Sequence, residues 1–318
     1  MRILALVLGL AASAAFAQPF PSKPLRMLVG FPPGGANDIV ARIVANRLTE
    51  TLGQSVVVEN RPGASGVIAA DVVAKAAPDG YTLFLGSTGT NSIAPSLNAK
   101  MPYDPVNGLA PVGLVGVAPS ALVVNAAVPA QNVREFVALA KSRTGKPLTY
   151  ASSGAGTTLH LGGELFKQLA GVDLLHVPYK GNAQALNDLI GGQVDMIISA
   201  LPPALPLANA GKVRILGVAT RERLRSAPEL PTVAEQGVPG YEMSTWYGVF
   251  ATGGSPANAI ERLSADLRKA VADPKVREQI AGQGVDPQSS TAEEFRALVR
   301  DEIAKWARVV KAAGIKAE

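Results

Sequence analysis

Two glycine-rich turns contain the residues that are best suited to bind a ligand. The first, GFPPGGANDIVAR, runs from Gly30 to Arg42 and stands between a short apolar segment and an amphipathic run. The first N–H groups of a helix have no intrahelical acceptor, and the helix dipole adds positive potential at the same end. The turn therefore predicts a site where main-chain amides hold a carboxylate without an arginine.

A second stretch repeats this arrangement. TYASSGAGTTLHL, from Thr149 to Leu161, passes from a strand-like segment through small residues into a helical pattern. Its hydroxyls can bind a ligand, and its glycines let a ligand approach the main chain. Two shorter turns, GSTGT at residues 86–90 and VPYKG at 177–181, add further hydroxyl groups. The candidate ligand contacts from these four turns are Phe31, Pro33, Gly34, Gly35, Ala36, Asp38, Ser87, Thr88, Ser152, Ser153, Gly154, Gly156, Thr157 and Tyr179.

Asp38 lies in the first turn of the predicted helix and has two interpretations. An acidic residue at this position usually complements the helix dipole, which is worth ~0.3–1 kcal/mol. Its charge would repel a bound anion unless it faces an amine or organises water. The position alone leaves both roles open.

Catalytic and metal-binding residues are sparse. The chain has only two histidines, His160 and His176, and no cysteine, so we expect no metal site, no cofactor and no thiol chemistry. The enzymatic alternative is a secreted hydrolase that uses Ser152 or Ser153 with His160, although neither serine lies in a G-x-S-x-G motif. That alternative predicts a serine within hydrogen-bond reach of a histidine.

The sequence lacks the motifs and the charge pattern that are typical of nucleotide- and nucleic-acid-binding proteins. Gly154-Ala155-Gly156 lacks the third glycine of a dinucleotide fingerprint, and the chain has no GK[ST] phosphate-binding motif. The formal net charge is only +5, the basic residues are scattered, and aromatic residues make up 5% of the chain. Nucleic-acid binding requires a concentrated basic face, so the sequence predicts a small-molecule ligand.

Strand-like and helix-like segments alternate along most of the 318 residues, which is typical of an α/β fold. The pattern predicts two lobes, each a sheet flanked by helices, joined by crossing strands at Ser120–Val124 and Thr245–Thr252. A passage rich in proline and glycine, Ala94–Gly116, is predicted to be irregular. Ligands lie at the carboxyl ends of strands in open α/β sheets, so we expect the turns to meet in a cleft between the lobes.

The N terminus carries an export signal. Residues 1–17 combine Arg2, an apolar stretch and the small-x-small cleavage signal Ala15-Phe16-Ala17. The apolar stretch is shorter than the ~20 residues that a membrane-spanning helix needs. The sequence predicts a monomeric periplasmic protein, cleaved after Ala17 and not embedded in the membrane. Its predicted lobes are residues 18–122 with 247–318, and residues 123–246.

A series of ordered motifs resembles the Bug family, the TctC-like receptors of tripartite tricarboxylate transporters. The motifs are GFPPGGANDIVAR, VVENRPGASGVIAADVVAKAAPDGYTL, YASSGAGTTLHLGGELF, HVPYKG, GQVDMII, PTVAEQGVPGYE and WYGVFAT. They cover essentially the whole mature chain. The resemblance implies a two-lobed periplasmic binding protein that captures a small carboxylate and delivers it to a membrane transporter.

The resemblance also implies the positions of the site. In the family, main-chain groups and water hold the carboxylate between two strand-to-helix turns, which match residues 31–38 and 152–158. The positions that carry over are Gly35, Ala36 and Asp38, then Ser152, Gly156 and Thr157, with Ser87 in addition. A sensory receptor that reports its ligand to a membrane partner would use the same pocket, so this third function stays open.

Overall fold

The fold alternates strands and helices along the chain. The computed structural model describes residues 20–98, 100–143, 145–154, 157–179, 181–224 and 226–315, so the predicted signal peptide lies outside the described residues. The strands are β1 (Leu25–Val29), β2 (Val56–Asn60), β3 (Thr82–Ser87), β4 (Leu109–Asn125), β5 (Leu148–Ser152), β6 (Leu174–Pro178), β7 (Met196–Ala200), β8 (Val213–Val218), β9 (Ser244–Thr252) and β10 (Asp286–Pro287). The helices are α1 (Ala36–Leu52), α2 (Val67–Ala74), α3 (Ala94–Leu97), α4 (Val133–Ser142), α5 (Thr158–Ala170), α6 (Asn182–Ile190), α7 (Leu201–Asn209), α8 (Ala257–Ala272), α9 (Pro274–Ala281) and α10 (Ala292–Ala312).

Strand β4 joins two groups of strands. The hydrogen-bonded path runs β2-β1-β3-β9-β4-β7-β5-β6, and β8 and β10 also pair with β4. Residues 109–119 of β4 pair with β9, whereas residues 120–125 pair with β7 and β8. We call β1, β2, β3, β9, β10 and residues 109–119 the first sheet, and β5 to β8 with residues 120–125 the second sheet. One continuous strand therefore crosses from the first sheet to the second.

Parallel pairing collects the candidate turns at strand ends. β1 pairs in parallel with β2 and β3, and β5 pairs in parallel with β6 and β7. The carboxyl ends of parallel neighbours meet at the same edge of their sheet. The turns that follow β1, β2 and β3 consequently lie at one edge of the first sheet, and those that follow β5 and β6 lie at one edge of the second.

The predicted α/β alternation is confirmed, with two differences. The passage Ala94–Gly116 is not irregular throughout, because β4 already begins at Leu109. Register shifts between Pro111 and Gly113 and between Leu114 and Gly116 accommodate its prolines and glycines within the ladder. Helix α7 was not predicted because its sequence, LPPALPLAN, contains three prolines. Two of them lie at the start of the helix, where a missing N–H costs no intrahelical bond.

Helix α10 packs against both sheets. In its first half, Phe295 and Val299 belong to the buried cluster that covers one face of the first sheet. In its second half, Trp306 and Val309 belong to the main cluster of the second sheet. This helix therefore ties the two sheets together at a second place besides β4. The division of the chain into lobes at residues 122/123 and 246/247 stays a prediction.

We predict that Gly248→Ala destabilises the fold. A Cβ built on Gly248 in β9 would overlap the Phe295 ring of α10. Overpacking of this kind costs about 1–3 kcal/mol, because a buried aromatic ring cannot move without disturbing its neighbours. Urea denaturation of the variant should show a free energy of unfolding reduced by that amount.

The matched control is Gly282→Ala at an exposed glycine with φ −61°. A built Cβ there comes no closer than 3.4 Å to another atom. This change should leave stability unchanged or raise it by up to about 1 kcal/mol. Equal stability of the two variants would contradict the packing of α10 on β9.

Candidate ligand-binding site

The first turn leaves the start of α1 open. Helix α1 begins at Ala36 with Gly35 as its N-cap residue, and no side chain caps it in the described part of the chain. Gly34 has φ +83°, a left-handed conformation that favours glycine. Residues Pro33 to Ala36 are exposed, and Phe31 is half-buried. The turn before α1 is therefore exposed and has no side-chain cap among the described residues, and its binding of an anion stays a prediction.

The buried Asp38 side chain holds this turn in place through hydrogen bonds. Its side chain is only 4% exposed and pairs with Arg42 at 2.9 Å. It also accepts hydrogen bonds from the Gly34 N–H at 2.9 Å and from Asn60 Nδ2 at 2.9 Å. The hydrogen bond from Arg42 is the main reason that the pKa of Asp38 falls to about 2, with the Gly34 and Asn60 bonds acting in the same direction. Asp38 lies in the first turn of α1, where its charge complements the helix dipole, and its oxygens also hold the preceding turn. Its contact with a ligand stays a prediction.

Asn60 completes the first turn and was missed by sequence reasoning. Its Nδ2 donates to the Phe31 carbonyl at 3.0 Å as well as to Asp38, and its Oδ1 accepts from Arg42 at 3.0 Å. Asn60 is the last residue of β2, directly before the turn that follows this strand. A polar residue at the carboxyl end of a parallel strand is the signal that could have identified it.

The third turn, GSTGT at residues 86–90, is mostly buried, and its polar groups form hydrogen bonds with other parts of the chain. Ser87 is 4% exposed and Thr88 is fully buried. Thr88 Oγ1 accepts from the Trp246 N–H at 2.9 Å and donates to the Ser244 carbonyl at 3.3 Å. The Ser87 N–H donates to Asn91 Oδ1 at 3.1 Å. The Thr88 hydroxyl thus links the end of β3 to the start of β9. The predicted contact of Thr88 with a ligand stays a prediction.

The second turn is shaped by its own hydroxyls. Thr157 is the N-cap residue of α5, and its Oγ1 accepts from the His160 N–H and donates to the Gly154 carbonyl. Ser153 Oγ donates to Thr157 Oγ1 at 3.3 Å. Gly154 has φ +130°, which favours glycine at this position. Gly156, a predicted contact, lies outside the described residues.

Ser152 is bound to a histidine. Its Oγ lies 2.7 Å from His176 Nε2, and it also bonds to the carbonyl and the N–H of Gly154 at 3.1 and 3.2 Å. A hydroxyl has one donor and two acceptor sites, so all three bonds are satisfied together when Ser152 donates to the carbonyl and His176 donates from Nε2. The His176 ring stacks on the His160 ring with centroids 4.0 Å apart. The serine–histidine contact expected for a hydrolase therefore exists with His176, not as proposed with His160, and the Ser152 side chain is fully buried.

Tyr179 lies beside the second turn. Its main-chain N–H donates to the Ser152 carbonyl at 3.0 Å, and its hydroxyl donates to Asp188 at 2.8 Å. Burial, followed by this hydrogen bond, raises the pKa of Tyr179 to about 12. The tyrosine is neutral at physiological pH and supports the turn through its main chain.

The candidate turns come together through the third turn. A Cβ built on Gly66 would lie 2.6 Å from Thr90 Oγ1 and 3.3 Å from the Phe31 ring, so Gly66 lies between the first and third turns. A Cβ built on Gly89 would lie 3.7 Å from Thr158 Oγ1, so the third turn faces the start of α5. Residues 88–90 thus lie close to Thr158 at the start of α5 and, across Gly66, to Phe31 of the first turn. The meeting of the two helix starts in one cleft stays a prediction.

A separate groove lies at the junction of the two sheets. It encloses about 610 Å³, and its lining includes Leu114, Val117, Arg221, Ser244 and Asp286. It contains none of the candidate contacts. Among the residues that the structure describes, no group of three or more histidine or acidic side chains could hold a metal ion. Within the same residues, no helix combines the length and the apolar character that a membrane crossing requires.

Comparison with known proteins identifies the family. The model of the tripartite tricarboxylate transporter family receptor, TctC, matches residues 40–315. The chain belongs to this family. BugT of Bordetella pertussis is 37% identical to this receptor over 99% of the chain and 98% of BugT. The resemblance to the Bug family is thereby confirmed.

Two solved structures show the same fold with small acids. Rpa4515 of R. palustris, solved with adipate, is 37% identical and superposes with a TM-score of 0.73, covering 93% of this receptor and 99% of that chain. MatC (Rpa3494) from Rhodopseudomonas palustris, solved with bound malate, is 34% identical with a TM-score of 0.69, covering 92% and 100%. These comparisons confirm the periplasmic-binding-protein fold and give the hydrolase alternative no support.

We predict that Asp38 makes the receptor less stable in acid between about pH 4 and pH 2. The unfolded Asp38 carboxylate takes up a proton near its ordinary pKa of 3.8, whereas the folded one does so only near 2. Stability is therefore fully present above about pH 4 and is lost as the pH falls toward 2, by ~2 kcal/mol in total. Asp38→Asn should lower the free energy of unfolding at pH 5 and lose less of it on acidification.

The control for Asp38 is Asp301→Asn, at a side chain that is 74% exposed. This variant should follow the acid profile of the parent receptor. Parallel profiles for Asp38→Asn and the parent would show that the Asp38 bonds do not stabilise the folded turn.

We predict a second pH dependence from His176. Burial, and then the neighbouring His160, lower the pKa of His176 from 6.5 to about 4. Because the unfolded chain binds this proton first, stability is present above about pH 6.5 and decreases as the pH falls toward 4. His176→Gln keeps an N–H donor for Ser152 but removes the titration, so its stability should change less between pH 7 and pH 5. An NMR titration of the two histidines measures the pKa directly, and a value near 6.5 for His176 would contradict the structure.

Proposed function

We propose that this receptor is an extracytoplasmic solute-binding protein that captures a small carboxylate or related organic anion. It delivers this ligand to the membrane subunits of a tripartite tricarboxylate-type transporter. The observation that carries the proposal is that residues 88–90 lie close to Thr158 at the start of α5 and, across Gly66, to Phe31 of the first turn. The solved relatives with adipate and malate support an acid as the ligand.

Neutral groups provide the binding energy in this proposal. The exposed amides at the start of α1 and the hydroxyls around Thr157 face an anion with aligned dipoles. The Asp38 carboxylate does not repel the anion, because Arg42 compensates its charge. The proposed contacts are those of the sequence analysis, with the main chain of Gly34 to Ala36 and of Ser153 to Gly154 in the leading roles.

Closure of the two lobes traps the ligand. We assign residues 18–122 with 247–318 to one lobe and residues 123–246 to the other. The hinge is placed in the segment of β4 that runs from Pro119, the last residue paired with β9, to the lobe boundary after Leu122, where β4 already pairs with β7. Hinge closure around a small molecule is a common mechanism of two-lobed binding proteins.

Proteins of this receptor family are periplasmic. Residues 1–17 are proposed to direct export and to be removed after Ala17. We propose that the mature receptor acts as a monomer, without cofactor, metal or nucleic acid.

The proposal predicts ligand-induced stabilisation that depends on Gly35. A ligand that binds only the folded state stabilises it by RT ln(1 + [L]/Kd). A panel of mono-, di- and tricarboxylates, aromatic acids and amino acids, including adipate and malate, should contain a compound that raises the Tm of the purified receptor. Gly35→Val should weaken binding of that compound at least tenfold in calorimetry, because the new side chain blocks the exposed amides.

Gly35 is suited to this test because its φ of −80° is accessible to other residues and a built Cβ comes no closer than 3.7 Å to another atom. The control is Gly282→Val, at an exposed position outside the candidate turns, which should bind like the parent. Failure of every acid to shift the Tm would refute the proposed function. Unchanged affinity of Gly35→Val would place the ligand away from the first turn.

A further inference from the structure

Four consecutive residues of the first sheet's edge adopt left-handed backbone conformations. We call Gly63–Gly66 the left-handed loop; their φ angles are +137°, +46°, +54° and +91°. Two of these residues, Ala64 and Ser65, carry a Cβ that makes this conformation costly. In the described chain no other residue besides glycine has a positive φ.

The surroundings impose this conformation. Thr90 Oγ1 donates to the Ser65 carbonyl at 2.7 Å, and the Gly66 N–H donates to the Gly63 carbonyl at 2.9 Å. A Cβ built on Gly30 would overlap the main chain of Gly66, so the loop lies directly against the end of β1. The loop is therefore fixed between the first and third turns.

The strain is not offset by packing of the strained residues. The side chains of Ala64 and Ser65 are exposed, so they gain no core contacts in return. Residues held in unfavourable backbone conformations concentrate at ligand sites, where the surrounding structure maintains them. The position fits such a role, because Thr90, which holds the loop, is adjacent to Gly89, which faces Thr158 at the start of α5.

The charge around the loop favours an anion. Arg26 binds both oxygens of Glu59, at 2.7 and 2.9 Å. Arg61 lies 3.7 Å from the same carboxylate, and its side chain is 59% exposed. These three residues carry a net charge of +1, and Arg61 lies two positions before the loop in the chain.

We infer that the left-handed loop is a third ligand-contacting segment of the cleft. It presents the Ser65 hydroxyl and the neighbouring main chain to a polar group of the bound organic acid, next to the positive charge of Arg61. This inference deepens the proposed function and rests on it. It adds to the two turns a segment that the sequence analysis did not nominate.

Cysteine protection tests the inference directly, because the chain contains no cysteine. Ser65→Cys provides a single thiol in the loop. Val106→Cys is the matched control at an exposed residue, 53% accessible. It precedes Leu109, which pairs with Thr252, whereas Ser87 at the cleft edge pairs with Tyr247. The control thiol therefore lies at the opposite end of the first sheet.

Alkylation by N-ethylmaleimide is timed with and without the panel acid that gives the parent its largest Tm shift, with adipate and malate tried first. We expect the acid to slow alkylation of Ser65→Cys at least fivefold and to leave Val106→Cys unchanged. The loop assignment would be overturned if Ser65→Cys were alkylated at the same rate with and without the acid while the acid still raised the Tm. The proposed function would then remain standing. No Tm shift with any acid overturns both.

A second variant separates ligand contact from structural strain. Ser65→Gly removes the hydroxyl and accepts the positive φ, so the Tm of the free receptor should stay the same or rise. Its affinity for the same acid should fall at least threefold in calorimetry. A higher Tm with unchanged affinity would show that Ser65 only strains the loop and does not contact the acid.

Discussion

The shape of the candidate turn at the start of α1 depends on the Asp38 carboxylate. One buried side chain accepts hydrogen bonds from the main chain of Gly34, from Asn60 and from Arg42, and thereby links β1, β2 and α1. A turn of prolines and glycines has little internal structure of its own, so these bonds fix its shape. Arg42 balances the charge of Asp38, and the helix dipole remains the main field that an incoming anion meets.

The shape of the second turn is also fixed by side-chain hydrogen bonds, but here the bonding groups are neutral. Ser152 holds both the N–H and the carbonyl of Gly154, and His176 holds Ser152. Burial keeps His176 neutral through most of the physiological pH range. Both turns are thus preorganised by side-chain hydrogen bonds. In the proposed function this suits a family that includes one protein solved with adipate and another solved with malate.

The connections between the sheets limit how the cleft can close. β4 runs without a break from one sheet to the other, and Thr88 fastens β9 at the point where the chain returns to the first sheet. Helix α10 packs on both sheets through Phe295 and Trp306. A rotation between the lobes must therefore occur near Pro119 and Ser120 and must shift one half of α10 over its packing surface, because close-packed side chains do not deform continuously.

The sequence by itself determined the α/β alternation and the order of the turns, and it led to the prediction that their helix starts bind an anion. These features follow from local periodicity and from the backbone freedom of glycine, as at Gly34 and Gly35. It did not reveal Asn60, the partner of Ser152 or the left-handed loop. Residues 22 to 25 positions apart supply those contacts, as with Asp38 and Asn60 or Ser65 and Thr90. Only the tertiary structure decided them, because parallel pairing brings the strand ends together and no local pattern encodes which side chains then meet.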